Sequence, residues 1–366
     1  MGGISMIDGI TIRTEIEDFE SWRNSTNIQF RNSFNDSTGE ILTKKRGFQV
    51  ITTYYGNWET FYLELKSVLN TQTREVITHL YIKGSMHKNH FNGKNFERFN
   101  WENLQNEIVH ICKTLFIEPD KARITTIEIG LNIATPFIVK YFLQENVLNY
   151  KGKSFNTYKP DRNGFELGLF CDLSQYRIKI YDKGAQNKLA FNLIRFEKKF
   201  IKMQALKKRG ITHLSDLLNF TKIYALKYII SEAWDNVLLY DINDINTLKT
   251  KIGIKDYDLL QNGKNPKHWL KLKSNSIRKF NHFRSKFKNL ISIYGENSHP
   301  FMSNLLKTEW DSLFQNCTNL PIGELNDLYN ITLKIKGNSI QYSLPISKPI
   351  YCFPSLWNGP TNVKYN

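Results

Sequence analysis

Two β-type runs between residues 165 and 200 set reactive side chains among cations. Alternation along the first run puts four polar side chains on one face: Arg177, Lys179, Tyr181 and Lys183. Alternation along the second run groups another four: Leu193, Arg195, Glu197 and Lys199. A phenol flanked by fixed cations is easier to ionise, and the same cations can hold a phosphodiester nearby. The pattern predicts a tyrosine nucleophile, Tyr181, acting on nucleic acid. Two edge strands with solvated charged faces are the alternative.

Charge suggests a role for each of the other side chains. Three cations are predicted to neutralise a phosphate: Arg195, Lys183 and Lys179. Two further cations are predicted to contact DNA: Arg177 and Lys199. Glu197 lies two positions from Arg195, so it orients that arginine, assists a metal, or forms a simple ion pair within the strand. Tyr176 lies on the opposite, apolar face and is the substitute candidate for the nucleophile.

Cutting and rejoining a phosphodiester needs charge neutralisation and often a divalent metal held by carboxylates. Glu128 is the clearest carboxylate in a predicted strand, because within Thr125–Ile133 it faces away from the isoleucines. Asp8 opens the first strand and is a second candidate oxygen ligand. These two residues are the expected ligands of Mg²⁺ or Mn²⁺. A solvated glutamate on a polar strand face is the alternative for Glu128.

A polar segment, Tyr81–Phe99, follows a predicted strand. Five of its side chains are predicted to contact DNA: Lys83, His87, Lys88, Asn92 and Asn95. A loop of this composition offers amide donors and cations to a phosphate backbone. His87 and His90 have the i, i+3 spacing of metal ligands on a helix, but Gly84 and Gly93 argue against a helix there.

The segment Leu259–Gly295 contains nine Lys or Arg residues and no Asp or Glu. Its apolar residues are spaced for one helix face, and most of its cations lie off that face, including Arg278, Lys279 and Arg284. The missing acids favour a helix that contacts DNA phosphates. The alternative is an amphipathic surface helix whose cations point into water.

The charge of the whole chain indicates a polyanionic partner. Its 366 residues include 50 Lys and Arg against 34 Asp and Glu, a net charge of +16 that is typical of nucleic-acid-binding proteins. No apolar run approaches the roughly 18 residues that span a membrane. The four cysteines form no Cys-x-x-Cys pair, which argues against a zinc site or a disulfide framework and fits a reducing cytoplasm.

The predicted elements alternate between strands and helices. Strands are predicted at Gly9–Thr14, Asn27–Arg31, Gly47–Tyr54, Thr60–Val68, Val76–Lys83 and Arg123–Ile133. Helices are predicted at Trp101–Phe116, Pro136–Leu148, Ile201–Lys208, Thr212–Phe220 and Lys222–Val237. This order predicts an α+β fold with a mainly antiparallel sheet core. We expect a catalytic domain at residues 1–210 and a mostly helical, basic region that binds DNA or a partner at residues 211–366.

The chain resembles the replication initiator endonucleases of filamentous phages and related plasmids. Five segments in the same order carry the resemblance: Met6–Asp8, Tyr81–Phe99, Ile124–Leu131, Ile180–Gly184 and Leu193–Leu218. In the third segment, Glu128 stands where the family has an aspartate and Thr126 where it has an arginine. The fourth segment, IYDKG, is similar to the one that bears the family's nucleophilic tyrosine, which corresponds to Tyr181 here, with Lys183 two positions on.

The resemblance implies a rolling-circle replication initiator that nicks and rejoins origin DNA through a 5′-phosphotyrosine and needs a metal. It implies a core related to the nickases that hold their metal with a His-x-His pair, with that pair degenerate. The expected partners are origin DNA, double- and single-stranded, a host helicase and a second copy of the chain, in the cytoplasm of a bacterial host. The alternatives are a relaxase- or transposase-like tyrosine enzyme, and a non-enzymatic single-strand-binding protein or repressor that stacks bases on Tyr176 and Tyr181.

Overall fold

The computed structural model describes residues 6–33, 41–158 and 168–315, and the backbone of two short strands at residues 333–335 and 338–340. Cys112 and Cys171 are buried free thiols, while Cys317 and Cys352 lie outside the described residues. Among the helices of the described residues, none is long and apolar enough to cross a membrane.

The described residues contain sixteen strands. In the first half of the chain these are β1 (Ile7–Glu15), β2 (Arg31–Asn32), β3 (Thr43–Arg46), β4 (Gln49–Trp58), β5 (Phe61–Asn70), β6 (Val76–Ser85), β7 (Arg123–Ala134), β8 (Val147–Tyr150), β9 (Lys153–Ser154) and β10 (Asn156–Thr157). The remainder are β11 (Gly168–Asp172), β12 (Tyr176–Asp182), β13 (Leu193–Phe200), β14 (Val237–Leu239), β15 (Leu333–Ile335) and β16 (Asn338–Ile340).

Eleven of these strands form one sheet within the described residues. Their order is β10-β11-β12-β13-β7-β1-β6-β5-β4-β2, with β3 paired to β4. Every neighbouring pair in this sheet is antiparallel. The strands β14, β8 and β9 form a small separate sheet, and β15 pairs with β16. The prediction of a mixed α and β fold built on an antiparallel sheet is confirmed.

Twelve α-helices lie in the described residues. The first six are α1 (Phe19–Thr26), α2 (Met86–His90), α3 (Trp101–Leu115), α4 (Val139–Tyr141), α5 (Lys183–Gln186) and α6 (Gln204–Lys207). The others are α7 (Phe220–Tyr224), α8 (Leu226–Asp235), α9 (Ile254–Gly263), α10 (Pro266–Asn275), α11 (Ile277–Tyr294) and α12 (Ser298–Ser312). A π-helical turn, Phe142–Asn146, follows α4, and 3₁₀ turns occupy Leu214–Leu218 and Ile245–Leu248.

Local capping explains where the main helix of the first half begins and ends. Asn100 and Asn103 form a reciprocal capping box at the start of α3, which satisfies two backbone amides that no helical carbonyl can reach. The helix ends at Phe116, which takes the left-handed conformation at φ 48°. The helix predicted at Trp101–Phe116 is therefore present almost to the residue.

The large sheet has a covered face and a polar face. The alternate apolar side chains of β7, from Ile127 to Ile133, are fully buried, and α8 and α12 pack against this side of the strand. The buried side of α3 belongs to the same core. Because successive strand residues point to opposite faces, the polar residues between these apolar ones project on the other side, which we call the polar face.

Three predicted elements differ from the structure. Only Arg31 of the predicted strand Asn27–Arg31 lies in a strand, β2, because α1 runs up to this segment and ends at Asn27 in the left-handed conformation at φ 53°. The predicted helix Pro136–Leu148 shortens to α4 and the π-helical turn, since Val147–Tyr150 pairs with β14. The predicted helix Ile201–Lys208 is only the four residues of α6.

The hydrophobic cores do not divide at residue 210, where we expected the domain boundary. Residues 211–239 and α12 pack with the sheet in one core. A second core is built from α9, α10 and α11 around Trp269 and Phe287, and it reaches back to Leu148 and Leu238. The helices directly after residue 210 therefore complete the sheet core, because they cover its apolar side.

Candidate active site on the polar face

Strand register brings most of the predicted site residues onto the polar face. In an antiparallel pair, residues opposite each other project to the same side. Three rows of opposed residues cross β12, β13 and β7: Tyr181–Arg195–Asn132, Lys179–Glu197–Gly130 and Arg177–Lys199–Glu128. Asp8 reaches the same group from β1, where the pairing with β7 shifts between Ile7 and Ile10. Apart from Lys183, the polar side chains that alternation groups along β12 and β13 are thus brought together by the register.

Arg195 is the fixed centre of this group. It is fully buried, and its guanidinium donates to Glu197 Oε2 at 2.5 Å and to Asn132 Oδ1 at 2.8 Å. A third contact places Arg195 Nη2 3.4 Å from Asp8 Oδ2. A buried charge is tolerated only when it is paired and hydrogen-bonded, so these three partners account for its position. Asn132 is a site residue that sequence reasoning did not assign, although it shares the strand face of Glu128.

Acidic and basic side chains alternate from Asp8 to Lys199. Lys179 contacts the Glu197 carboxylate and lies 3.2 Å from Glu128 Oε2, and Lys199 lies 2.7 Å from Glu128 Oε1. Burial would raise the pKa of Glu197, but Arg195 and Lys179 outweigh it and lower that pKa to about 2. Gly130 permits this packing, because a Cβ there would lie 2.5 Å from Glu197 Cβ. The network holds its charges in fixed positions beside Tyr181.

Tyr181 lies at one end of the network, with its hydroxyl 3.5 Å from Glu197 Oε2. Burial, and then the Glu197 charge, raise its pKa well above the ordinary value, and Arg195 opposes them only in part. The expectation that surrounding cations make this phenol easier to ionise is therefore wrong for the DNA-free protein. The charge nearest to the hydroxyl is a carboxylate, so Tyr181 needs a base to become a nucleophile.

Lys183 does not project from the polar face as the sequence predicted. The strand β12 ends at Asp182, whose side chain accepts from the Ala185 amide at 2.8 Å and starts α5. This turn buries Lys183 completely, with its Nζ 3.1 Å from Gln186 Oε1 and 5.7 Å from the centre of the Tyr181 ring. Burial, and then repulsion from Arg195, lower the pKa of Lys183 to about 7. A side chain in this position cannot neutralise a DNA phosphate directly.

The predicted DNA-contacting loop after β6 is partly helical. Ser85 caps α2 by accepting from the Lys88 amide at 3.0 Å, and its hydroxyl also contacts Asp8. His87 is fully buried against the rings of Phe91 and Phe99. Burial lowers the pKa of His87 to about 3, so its imidazole is neutral, and we correct the prediction that it contacts DNA.

The other side chains of this segment divide between structural contacts and solvent. His90 lies 3.0 Å from Asn103 Nδ2 and 3.5 Å from Glu107 Oε2. Lys83 contacts Glu64, while Lys88 and Asn92 are exposed and Asn95 is half-buried. Lys88 and Asn92 are thus the exposed members of this predicted set, and Lys83 is partly exposed beside Glu64.

The two predicted metal ligands are both ion-paired. Asp8 contacts Arg195, and Glu128 contacts Lys179 and Lys199. Within the described residues, no group of three or more His, Cys, Asp or Glu side chains could hold a metal ion. Three carboxylates alternate with three cations, so the network lacks the excess negative charge that favours a divalent cation. The arrangement does not fit a ready metal site, and a metal would first have to displace these cations.

Two residues of the predicted set are engaged elsewhere. Tyr176 lies on the covered side of β12, 3.3 Å from the Tyr150 hydroxyl and beneath Lys198 at 4.4 Å from the ring centre. It therefore cannot stack bases beside Tyr181. Arg177 forms a two-point ion pair with Asp172, at 2.5 and 3.0 Å, on the polar face.

The cations of α11 also separate into two kinds. Arg278 and Lys279 are exposed near the start of the helix. Arg284 is half-buried and donates to the carbonyl of Asn236 at 3.0 Å, where it caps the C-terminus of α8. The prediction that Arg284 contacts DNA is corrected, because its guanidinium already serves this structural bond.

No protein-family model matches the chain, and no curated protein does. Among solved structures, the chain is similar to a rolling circle replication initiator protein from Geobacillus stearothermophilus, at 12% sequence identity and a TM-score of 0.32. The match covers 68% of this chain and 91% of that one.

Proposed function

We propose that the chain initiates rolling-circle replication by nicking and rejoining origin DNA, with Tyr181 as its nucleophile. The observation that carries the proposal is the Tyr181 hydroxyl held at the end of a network of ion pairs centred on the buried Arg195 and Glu197, on a sheet face of a strongly basic protein. Burying such a network costs free energy unless every member is satisfied, and perturbed ionisable groups cluster at functional sites.

The proposed reaction is an attack of Tyr181 Oη on a phosphodiester of the DNA. The Oη–P bond forms and the P–O3′ bond breaks, which leaves a 5′-phosphotyrosine and a free 3′-hydroxyl. Lys183 accepts the phenol proton, because its lowered pKa leaves much of it neutral near pH 7. The departing 3′-oxygen takes its proton from solvent, because the buried lysine does not reach the DNA. Since the phosphotyrosine retains the energy of the phosphodiester, the 3′-hydroxyl can later attack it and reseal the strand.

The remaining residues position the nucleophile and the phosphate. Glu197 holds the Tyr181 hydroxyl, and Arg195 holds Glu197. Lys179 and Lys199 are the cations of the network with exposed surface, at 16% and 38% of their side chains. They are the groups that we expect to contact the phosphate oxygens and to stabilise the charge that develops on them.

The proposal includes Mg²⁺ or Mn²⁺ with Glu128 and Asp8 as its carboxylate ligands. Binding would require that the ion displace Lys179 and Lys199 from Glu128, and Arg195 from Asp8. For that reason no step of the reaction above passes through the metal.

Glu128→Gln tests the metal assignment. The change keeps the shape and removes the charge, so nicking should fall by at least about ten-fold, the lower end for residues that tune a metal site. Added Mn²⁺ should not restore it. DNA affinity should stay the same or rise, because Lys179 and Lys199 lose a competing carboxylate. Nicking with unchanged metal dependence would remove Glu128 from the set of ligands.

The covalent intermediate tests the function as a whole. Supercoiled plasmid that carries a candidate origin is incubated with the protein and a divalent metal, and protein–DNA adducts are isolated under denaturing conditions. We expect one nicked product with a free 3′-hydroxyl, and a peptide containing Tyr181 joined to a 5′-phosphate. DNA binding without any adduct would favour the non-enzymatic alternative.

We also propose that the exposed start of α11 contacts DNA phosphates. Arg278→Gln with Lys279→Gln should weaken binding and lower its salt slope by about 0.7–0.9 for each phosphate that the variant no longer neutralises. The site of cleavage should not move, because phosphate contacts position DNA and base contacts specify it. Lys286→Gln is the matched control, since Lys286 is paired with Asp256 on α9. A salt slope equal to that of the wild type would show that this end of α11 is only solvated.

A further inference from the structure

The polar face continues beyond the candidate active site onto strands that the proposed reaction does not use. Across β4, β5, β6 and β1, opposed residues form a row of alternating aromatic and charged side chains: Tyr55–Glu64–Tyr81–Arg13. The neighbouring row is Asn57–Tyr62–Lys83–Thr11, and it runs on to Thr126 of β7. Thr126 lies two residues before Glu128 on the same face, so this surface is continuous with the network around Tyr181.

Two of its tyrosines expose flat rings to solvent. Tyr55 is 36% exposed and Tyr62 is 41% exposed, and their rings lie 6.0 Å apart with only 25° between their planes. By contrast, Tyr54, on the inner side of β4, packs against Phe19, with 5.4 Å between the ring centres. Tyr55 and Tyr62 therefore lie outside the core, and they form an exposed pair of nearly parallel rings of the kind on which nucleic-acid bases stack.

Cations surround these rings in a fixed arrangement. Lys83 lies 5.9 Å from the centre of the Tyr62 ring, and Lys66 lies 4.9 Å from that of Tyr81. Both lysines contact Glu64, whose side chain is only 11% exposed. The side chain of Lys66 is 36% exposed and that of Lys83 is 39% exposed. The carboxylate thus anchors the two ammonium groups from below and leaves them open to solvent. Exposed cations interleaved with exposed rings match a ligand that alternates phosphates and bases.

An open cavity of about 680 Å³ borders the two tyrosines. Its lining includes the side chains of Asn27, Gln29, Arg31 and Asn57 beside Tyr55 and Tyr62. Amide and guanidinium groups can donate to the edges of unpaired bases, which are available in single strands and hidden in a duplex. This polar concavity is a second observation, independent of the rings, that indicates unpaired nucleotides.

We propose that this surface, with Tyr55 and Tyr62 at its centre, binds single-stranded DNA by stacking bases and guides it across the sheet toward Tyr181. The inference rests on the proposed function for the identity of the ligand as DNA. Five strand spacings of about 4.8 Å separate β5 from β12, roughly 24 Å. A single strand of roughly 4–16 nucleotides, the length that one binding fold covers, can contact both.

The test is equilibrium binding of an unstructured oligothymidine by fluorescence anisotropy. Tyr55→Ala with Tyr62→Ala should weaken binding by at least about five-fold for each ring removed, the lower end for base–aromatic stacking. Tyr55→Phe with Tyr62→Phe should bind like the wild type, because phenylalanine keeps the π-face. The matched control is Tyr228→Ala, which removes a 67% exposed tyrosine from α8 on the covered side of the sheet.

An oligonucleotide with abasic positions separates stacking from phosphate binding. It should bind the wild type and the double alanine variant equally well, because it offers no bases to stack. An equal loss on abasic DNA, an equal loss on blunt duplex, or an unaltered affinity for oligothymidine would each overturn the inference. The readout needs no cleavage, so it is independent of the adduct assay. Base-dependent binding without an adduct would contradict the proposed enzyme activity and support the stacking surface. An adduct without base-dependent binding would support the enzyme activity and contradict the stacking surface.

Discussion

Tyr181→Phe should abolish nicking and the covalent adduct while the protein still folds and binds DNA. The substitution removes only a hydroxyl that, within the described residues, makes a long 3.5 Å hydrogen bond to Glu197. That bond is worth at most about 1.5–3 kcal/mol even with a charged acceptor, so thermal stability should change little. Nicking has no substitute oxygen in the same place, and the expected loss is therefore total. Gel assays on supercoiled DNA and denaturing isolation of the adduct measure both effects.

Tyr176→Phe and Tyr158→Phe are the matched controls. Tyr176 lies on the covered side of β12, and the Tyr158 ring centre lies 6.5 Å from that of Tyr181. Burial raises the pKa of Tyr158 to about 12. Within the described residues, no hydrogen bond joins the Tyr158 hydroxyl to the charged network, whereas the Tyr181 hydroxyl donates to Glu197. Both variants should nick. If Tyr181→Phe still forms the adduct and either control does not, the nucleophile is assigned to the wrong tyrosine.

The polar face was predictable because it depends on a local rule. Alternation in a strand holds residue by residue, so Arg195 and Glu197 share one side of their strand, and Glu128 lies on the polar side of its own, without any knowledge of the partner strands. The rule fails where a strand ends. Lys183 follows Asp182, which caps α5, and the chain turns there and buries the lysine. The spacing of Lys183 two residues after Tyr181 predicted the same strand face and did not indicate that turn.

Directions of pKa shifts were less predictable, because they depend on distances between strands. The sequence shows cations around Tyr181, and Arg195 does lie opposite it in the register. Burial nevertheless raises the pKa of Tyr181, and the Glu197 carboxylate, 3.5 Å from the hydroxyl, adds to that effect. Arg284 was misassigned for a similar reason, since its carbonyl partner lies 48 residues away in the chain.

Gly84, near the end of β6, was misread as a sign against a helix. Gly84 does not break a helix there, because α2 begins only at Met86. A Cβ at Gly84 would lie 2.6 Å from Cδ1 of Phe61, so glycine is needed to let that ring pack on the strand. The composition of the segment predicted a loop. The contact with Phe61 gives a different reason for a glycine at position 84.

Lys183→Met should lower the rate of nicking by about 100-fold or more, the usual contribution of a general base. In the wild type the rate should rise with pH through about 7, because only neutral Lys183 can accept the phenol proton. The charged groups that act on it are Arg195, Asp8, Glu197 and Lys88. The variant should lack the rise. A rate that falls through pH 7 instead would mean that Lys183 acts as a cation.

Unfolding provides a measurement of the same lysine that does not depend on catalysis. In the unfolded chain a lysine stays protonated up to about pH 10.4, while folded Lys183 loses its proton near 7. Between these values the unfolded state binds more protons, so the stability of the wild type should rise with pH across this window. Below about pH 7 both states are protonated and the full cost of burying the charge is present.

Lys183→Met removes that cost, so urea unfolding should show the variant more stable than the wild type near pH 6, with the difference in stability closing toward pH 10. A constant gap across this range would mean that Lys183 stays protonated in the folded protein, and the general-base role would be excluded with it.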